Sequence, residues 1–487
     1  MTLNSGDYER FTTNTDTQMG EDDQRIPHKD DGKAIDARIQ SEGSFTVEGD
    51  EPQDFATVEL VNDGEGRSGS LIGDDDGEEQ GNVVVDDLVY RVSVEAETEF
   101  QYTPPVDLNV DKDFEYPEGQ YKWWYFDGSD RAKFGSSGRK ALDGKMLHAH
   151  QGYVFMAQRA GTLVIHLGNT AVGGSRKAKM NNHEADAAQD EGWNFMGNPY
   201  ASFYDMSESE MTAPITVWNA KMKTYEALRP GDDECHLQPF QAFYVQKPEE
   251  VEEVGLETEN RESYRQSEEV KEERKAIRRA KGVESARRIV DLYIEVQEQQ
   301  ADRTRIVVNP SAKLSYEVGT DAAKFMSEKA IAQIYTIESG VEMAINERPL
   351  SGSLPLGYTA AKAGRLTIGA SRMDAPLVLV DRQTGVTCDL SENAYEFTTT
   401  EGTFNDRFLI RAQGDDGIGA LAEKTGVLIA IREGGLAVGG AEGKEIQVYS
   451  IDGKAVASQS GNGFISLKQG IYVVGVDSIT AKVRIRE

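Results

Sequence analysis

From Gly43 onward, apolar and polar positions alternate in short bursts. Ser44 to Val47, Ala56 to Leu60 and Asn82 to Val85 each read as a strand with one buried face, separated by acidic loops. Glu249 to Lys281 breaks the pattern: glutamates lead, lysines and arginines trail, and apolar residues are few. That order suits a helix macrodipole but supplies no buried stripe, so residues 249–285 are expected as a charged, solvent-bathed helix or linker. Alternation resumes at Ile289 to Val296, where Val290, Leu292, Ile294 and Val296 share one face. Strand-like runs then continue to Ile410, punctuated by turns such as Glu338-Ser339-Gly340. They predict one antiparallel sandwich over 286–413, with a single helical turn at Ala322 to Met326. Seven further runs follow Gly426, with an Asp-Gly hairpin turn at Ile451 to Lys454, and predict a small sandwich over 426–487.

The stretch from Gly192 to Pro248 is rich in aromatic side chains and holds two of the chain's four tryptophans, Trp193 and Trp218. Trp193, Phe195 and Met196 precede a Gly197-Asn198-Pro199 turn, and Asn219-Ala220 reads as a hairpin turn. Leu147-His-Ala-His-Gln151-Gly-Tyr153-Val-Phe155 aligns without gaps on Leu237-Gln-Pro-Phe-Gln241-Ala-Phe243-Tyr-Val245. Each is preceded by a tryptophan and a turn, around Trp123-Trp124 and at Trp218. Two related β units are therefore expected within residues 95–248. Tyr153 and Phe243 should be buried, and Gln151 and Gln241 should bond to backbone groups. Aromatics inside β-patterned runs are core material first. The competing reading is a carbohydrate-binding platform built from Trp123, Trp124 or Trp218.

The whole expectation is an all-β chain of antiparallel sandwich-like domains in tandem. Residues 1–40 are expected as a disordered N-terminal segment or linker, 41–94 as a short-strand region, and 414–425 as a linker. The formal net charge is -32, from 84 acidic against 52 basic residues. That balance argues against nucleic-acid binding and against docking on an anionic membrane, and it favours solubility. Scattered calcium sites are the alternative, although Asp74 to Glu79 lacks the ligand spacing of a calcium loop and reads as a solvated turn. The two cysteines, Cys235 and Cys388, make neither a zinc site nor a disulfide scaffold; a single long-range disulfide is the most they permit. His148 and His150, at i and i+2, read as one face of a strand, and no neighbouring ligand completes a metal set. No nucleophile elbow, zinc-protease helix, phosphate loop or dinucleotide fingerprint is present, and no cofactor or catalytic residue is expected. No apolar run is long enough for a membrane span. The first residues lack a basic region followed by an apolar one, so no signal peptide is read there.

The pattern GWN-x-x-GNPY, then Val217-Trp218-Asn219, then Leu237-x-Pro239-Phe240-Gln241-Ala242-Phe243-x-Val245 resembles a β-rich module of large surface and secreted proteins of Bacteroidetes. The resemblance runs over residues 95–487 with a break near 249–285, and it offers no catalytic motif to carry over. Val448-Tyr449-Ser450-x-Asp452-Gly453-Lys454, then Gly470-Ile471-Tyr472-Val473-Val474, then Lys482-Val483 is similar to the C-terminal sorting domain of the type IX secretion pathway. The resemblance implies an exported, non-enzymatic surface or adhesion-type protein, extracellular or at the cell surface, represented here by a piece of a longer chain. The secretion machinery would be its partner, with glycans or a host surface as further partners. The alternatives are a carbohydrate-binding protein, or an accessory region of a secreted glycoside hydrolase or protease.

Overall fold

A computed structural model describes residues 2–3, 10–13, 16–19, 35–47, 53–73, 83–116, 120–171, 176–209, 211–232, 235–249, 251–264, 287–350, 352–412, 421, 425–432, 434–477 and 479–485. The chain is all-β. It divides into two compact units, Met1–Glu284 with Glu317–Ala330, and Ser285–Tyr316 with Ile331–Glu487.

The first unit begins with a parallel coil. Asp16–Met19, Ser44–Val47 and Ser70–Gly73 stack in one parallel sheet. Arg10–Thr13, Ile35–Ile39, Gln53–Asn62 and Val83–Val94 stack in a second. Successive strands alternate between the two sheets, so the chain winds as a two-sheet solenoid. Inward positions form ladders: Ala37, Val58 and Leu88 are in register, as are Ile39, Leu60 and Tyr90, and Phe45 with Leu71. All of them are buried. Outside, Glu59 pairs with Arg38 at 3.0 Å and with Arg91 at 3.1 Å. Strand Gly161–His166 then runs antiparallel along Val83–Val94 and covers the edge of that sheet. This corrects the expectation for residues 1–40, whose described residues are strands of the coil. The turn at Asp74 to Glu79 lies outside the described residues.

Next come two related four-stranded sheets. In the first, the order is Arg139–Ala141, Tyr121–Phe126, Tyr153–Ala157, Phe100–Tyr102; in the second it is Thr224–Leu228, Ile215–Asn219, Ala242–Gln246, Trp193–Gly197. Each has a hairpin, a strand carrying the echoed motif, and a strand from upstream. The register equates Trp123 with Ile215, because Trp123 faces Phe155 and Ile215 faces Val245. Trp218 is therefore the counterpart of Phe126, not of Trp123 or Trp124. Asp127 and Asn219 then occupy one position and do one job: each side chain accepts a backbone N–H three residues on, from Asp130 at 3.1 Å and from Met222 at 3.1 Å. His150 and Phe240 also coincide, both left-handed with φ of 64° and 58°. Asp127 caps the helix Gly128–Phe134, which ends on left-handed Gly135.

Residues 251–264 are not the helix or linker expected. Glu253–Leu256 pairs with Arg176–Lys179, and Arg261–Glu262 pairs with Phe203–Asp205. Val254 and Leu256 enter the core of the second sheet beside Met196, Tyr204 and Phe243. Residues 265–286 lie outside the described residues. Ala322 to Met326 is likewise not helical, since Ala322–Ala323 is extended. Its Phe325 ring sits 4.7 Å from Trp193 and 5.0 Å from Tyr244, with the Arg131 guanidinium 4.7 Å above it.

In the second unit, one continuous sheet replaces the sandwich expected over 286–413. Its strand order is Thr387–Asp389, Leu377–Asp381, Gly402–Ala412, Leu354–Ala360, Ala332–Glu338, Val341–Arg348, Gln299–Val308, Arg288–Val296, Gly364–Met373, Tyr395–Thr399. Gln299–Val308 and Val341–Arg348 are parallel; the other neighbours in this order are antiparallel. The sheet curls until its two ends meet through side chains. Tyr395 donates to Asp381 Oδ2 at 2.9 Å, Arg407 donates to the Thr398 carbonyl at 2.9 Å, and the Phe397 and Phe408 rings lie 4.8 Å apart. One core of Val290, Leu292, Ile334, Leu356, Tyr358 and Ile368 fills the interior.

The C-terminal residues form a small sandwich with its own core. Leu428–Arg432, Gly435–Gly439 and Gly463–Ser466 make one sheet, and Ala455–Ser460, Glu445–Ser450, Gly470–Val476 and Ile479–Ile485 the other. Leu436, Ile446, Val448, Val474 and Val483 are buried between them. The Asp-Gly turn closes as expected, with Gly453 at φ 83°. Leu421, expected in a linker, is fully buried in this core.

Candidate functional site

Trp123 and Trp218 do not form a platform. They are only 5% and 7% exposed. Trp123 packs edge-on against Phe155 at 5.1 Å and Phe114 at 5.0 Å, and Trp218 packs on Tyr225 at 5.1 Å. A sugar stacks on an open ring face, and neither side chain offers one. Trp124 is half-buried, paired between Ala141 and Val154. His148 and His150 lie in a turn rather than on a strand face. His148 Nδ1 is 3.5 Å from Asp107 Oδ2, with both side chains 58% exposed. Cys235 is buried and Cys388 half-buried, and no disulfide joins them.

The structure does assemble a cluster that no sequence spacing announces. Phe203–Asp205 is the middle strand of a small sheet, flanked by His236–Leu237 and Arg261–Glu262. Tyr204 lies opposite Leu237 and Arg261 and turns into the core, fully buried. Alternation therefore puts Asp205, and His236 opposite it, on the other face. Glu262 lies opposite Phe203, so it shares that face. Asp205, His236 and Glu262 each bring a ligand-type atom to within 4.8 Å of the others.

The cluster is closed off from solvent. The His236 side chain is 1% exposed and that of Glu262 9%. His236 Nδ1 contacts Glu262 Oε1, while His236 Nε2 is buried and has no hydrogen-bond partner. Asp205 begins the 3-10 turn Met206–Glu208, its Oδ1 accepting the Ser207 N–H at 2.9 Å. These are hard oxygen and borderline nitrogen donors, the set that takes a divalent metal ion.

The second buried ionic group needs no ligand to explain it. Asp381 is fully buried, and its carboxylate accepts from Arg407, Tyr395 and the Gln383 N–H. Burial pushes its pKa up, but those donors outweigh burial and hold it below the ordinary carboxylate range.

Residues 203–411 match a family model described as Domain of unknown function (DUF8693). The matched span contains Asp205, His236 and Glu262, and it leaves out the coil and the C-terminal sandwich. No curated protein matches the chain. Among the described residues, no helix is long and apolar enough to cross a membrane.

Proposed function

We propose that this chain is a non-enzymatic module of an exported surface or adhesion-type protein, with residues 426–487 as its sorting domain. The observation that carries this reading is the C-terminal sandwich. Its seven strands close around a core of their own, and its tail carries the Tyr449 to Lys454 hairpin and the paired Gly470–Val476 and Ile479–Ile485 strands. An address read by secretion machinery has to be legible on a folded cargo, and a sandwich with a separate core meets that need. The coil and the curled sheet support a scaffold role, since both bury their inward side chains in apolar cores. The acidic balance suits a surface that has to stay soluble and unaggregated.

The test is to fuse residues 414–487, which keep the buried Leu421 with its core, to a folded reporter in a bacterium with a working type IX pathway. Reporter on the cell surface or in the medium is expected. Periplasmic retention equal to that of the reporter alone would overturn the assignment.

A further inference from the structure

We infer that Asp205, His236 and Glu262 bind one divalent transition-metal ion of the zinc class, which staples three distant chain segments together. Three observations converge. The ligand atoms come within 4.8 Å of one another, although the residues lie on three separate strands. All three side chains are buried, so the carboxylates are withheld from the water that would otherwise solvate them. His236 Nδ1 and Glu262 Oε1 lie in direct contact, so the nitrogen and one carboxylate already converge on one point.

The third observation fixes which nitrogen would bind. Nδ1 faces Glu262, so an ion held there takes His236 through Nδ1 and one oxygen each from Glu262 and Asp205. One nitrogen and two carboxylates favour zinc over calcium or magnesium, which take oxygen ligands almost alone.

The strands involved also have reason to need a staple. His236–Leu237 and Arg261–Glu262 have two residues each, and Phe203–Asp205 three. Ladders this short contribute few hydrogen bonds, so a metal that crosslinks them contributes folding free energy directly. The surface pair His148 and His150 is separate from this site and serves as a control.

The experiment uses the full chain, stripped with a chelator and titrated with zinc chloride by calorimetry, with melting followed in parallel. One zinc per chain is expected, with a thermal midpoint that rises on zinc addition and falls again on chelation. Asp205→Asn, His236→Ala and Glu262→Gln should each weaken zinc binding by ~10-fold or more. A variant with both His148→Ala and His150→Ala should bind as the unaltered chain does. Cobalt(II) should give a ligand-field spectrum that His236→Ala abolishes. If the unaltered, folded chain binds no stoichiometric zinc, the inference fails, whatever the variants do. It also fails if zinc binding is lost only in the His148/His150 variant.

Discussion

Arg305 and Asp291 face each other on neighbouring strands of the curled sheet and share two hydrogen bonds, Nε to Oδ1 at 2.6 Å and Nη2 to Oδ2 at 2.8 Å. Both side chains are less than a tenth exposed. A forked guanidinium against a carboxylate is the strongest form of this contact, and burial makes a lone partner costly. Arg305→Ala should therefore destabilise the second unit by about 3–5 kcal/mol, read from the urea midpoint.

The same pair sets a pH dependence. Burial alone would raise the Asp291 pKa, but the Arg305 hydrogen bonds and charge overcome it and hold the pKa below the ordinary value. A carboxylate depressed on folding stabilises the protein above its unfolded pKa, and that stability is lost as pH falls through the folded value. Melting followed from pH 6 downward should show a falling midpoint, and Asp291→Asn should flatten that fall. An identical slope in Asp291→Asn would exclude this group as its source.

Tyr90 works in the opposite direction. Burial first of all pushes its phenol up to about 12, although Asn62 donates to the hydroxyl at 2.6 Å. A group raised on folding stabilises below its unfolded pKa, about 10 for tyrosine, and loses that contribution as pH rises to the folded value. Spectrophotometric titration should show some tyrosinate absorbance delayed beyond pH 10 and appearing together with unfolding. Tyr90→Phe should shrink the delayed fraction.

The two related sheets exchange one hydrogen-bond acceptor. In the second, Gln241 Oε1 accepts the Gln238 N–H at 2.9 Å; in the first, the Tyr153 hydroxyl accepts the equivalent His148 N–H at 2.8 Å. Tyr153 stands where the second sheet has Phe243, which has no hydroxyl. Tyr153→Phe should cost about 1–3 kcal/mol by stranding that N–H, whereas Phe243→Ala should cost about 3–5 kcal/mol by opening a cavity. Chemical denaturation of the two variants measures both.

The hairpin between Arg288–Val296 and Gln299–Val308 turns through Gln297 and Glu298, with φ of 53° and 64°. Two left-handed residues in a two-residue turn match a type I′ hairpin, for which Asn-Gly is the favoured sequence. Replacing Gln297 with Asn and Glu298 with Gly should stabilise the second unit by about 1 kcal/mol. A lower melting midpoint in the double variant would count against this.

The seven strands after Gly426 were legible because they are short, alternate cleanly and join through tight local turns. The echo between Leu147 and Leu237 was legible because it has no gaps. Its partner tryptophans were not, since only strand register shows that Trp218 matches Phe126. The coil is not legible from alternation, which looks the same in parallel and antiparallel sheets. A signal was there in Gly43-Ser44-Phe45 and Gly69-Ser70-Leu71, which stack in register, Ser44 on Ser70 and Phe45 on Leu71. The cluster of Asp205, His236 and Glu262 has no local spacing, because three separate strands deliver it. In Glu249 to Lys281 the charged composition conceals Val254 and Leu256, which are buried.

No single cut along the chain separates the two units. Phe325 follows the strands Arg288–Val296 and Gln299–Val308 in sequence, yet it belongs with Trp193 and Tyr244. During synthesis, the first unit is still missing an aromatic plug when Glu284 leaves the ribosome. It waits until Ala330 has emerged, after the hairpin Arg288–Val296 and Gln299–Val308 has already been made. The order of translation thus interleaves the maturation of the two units.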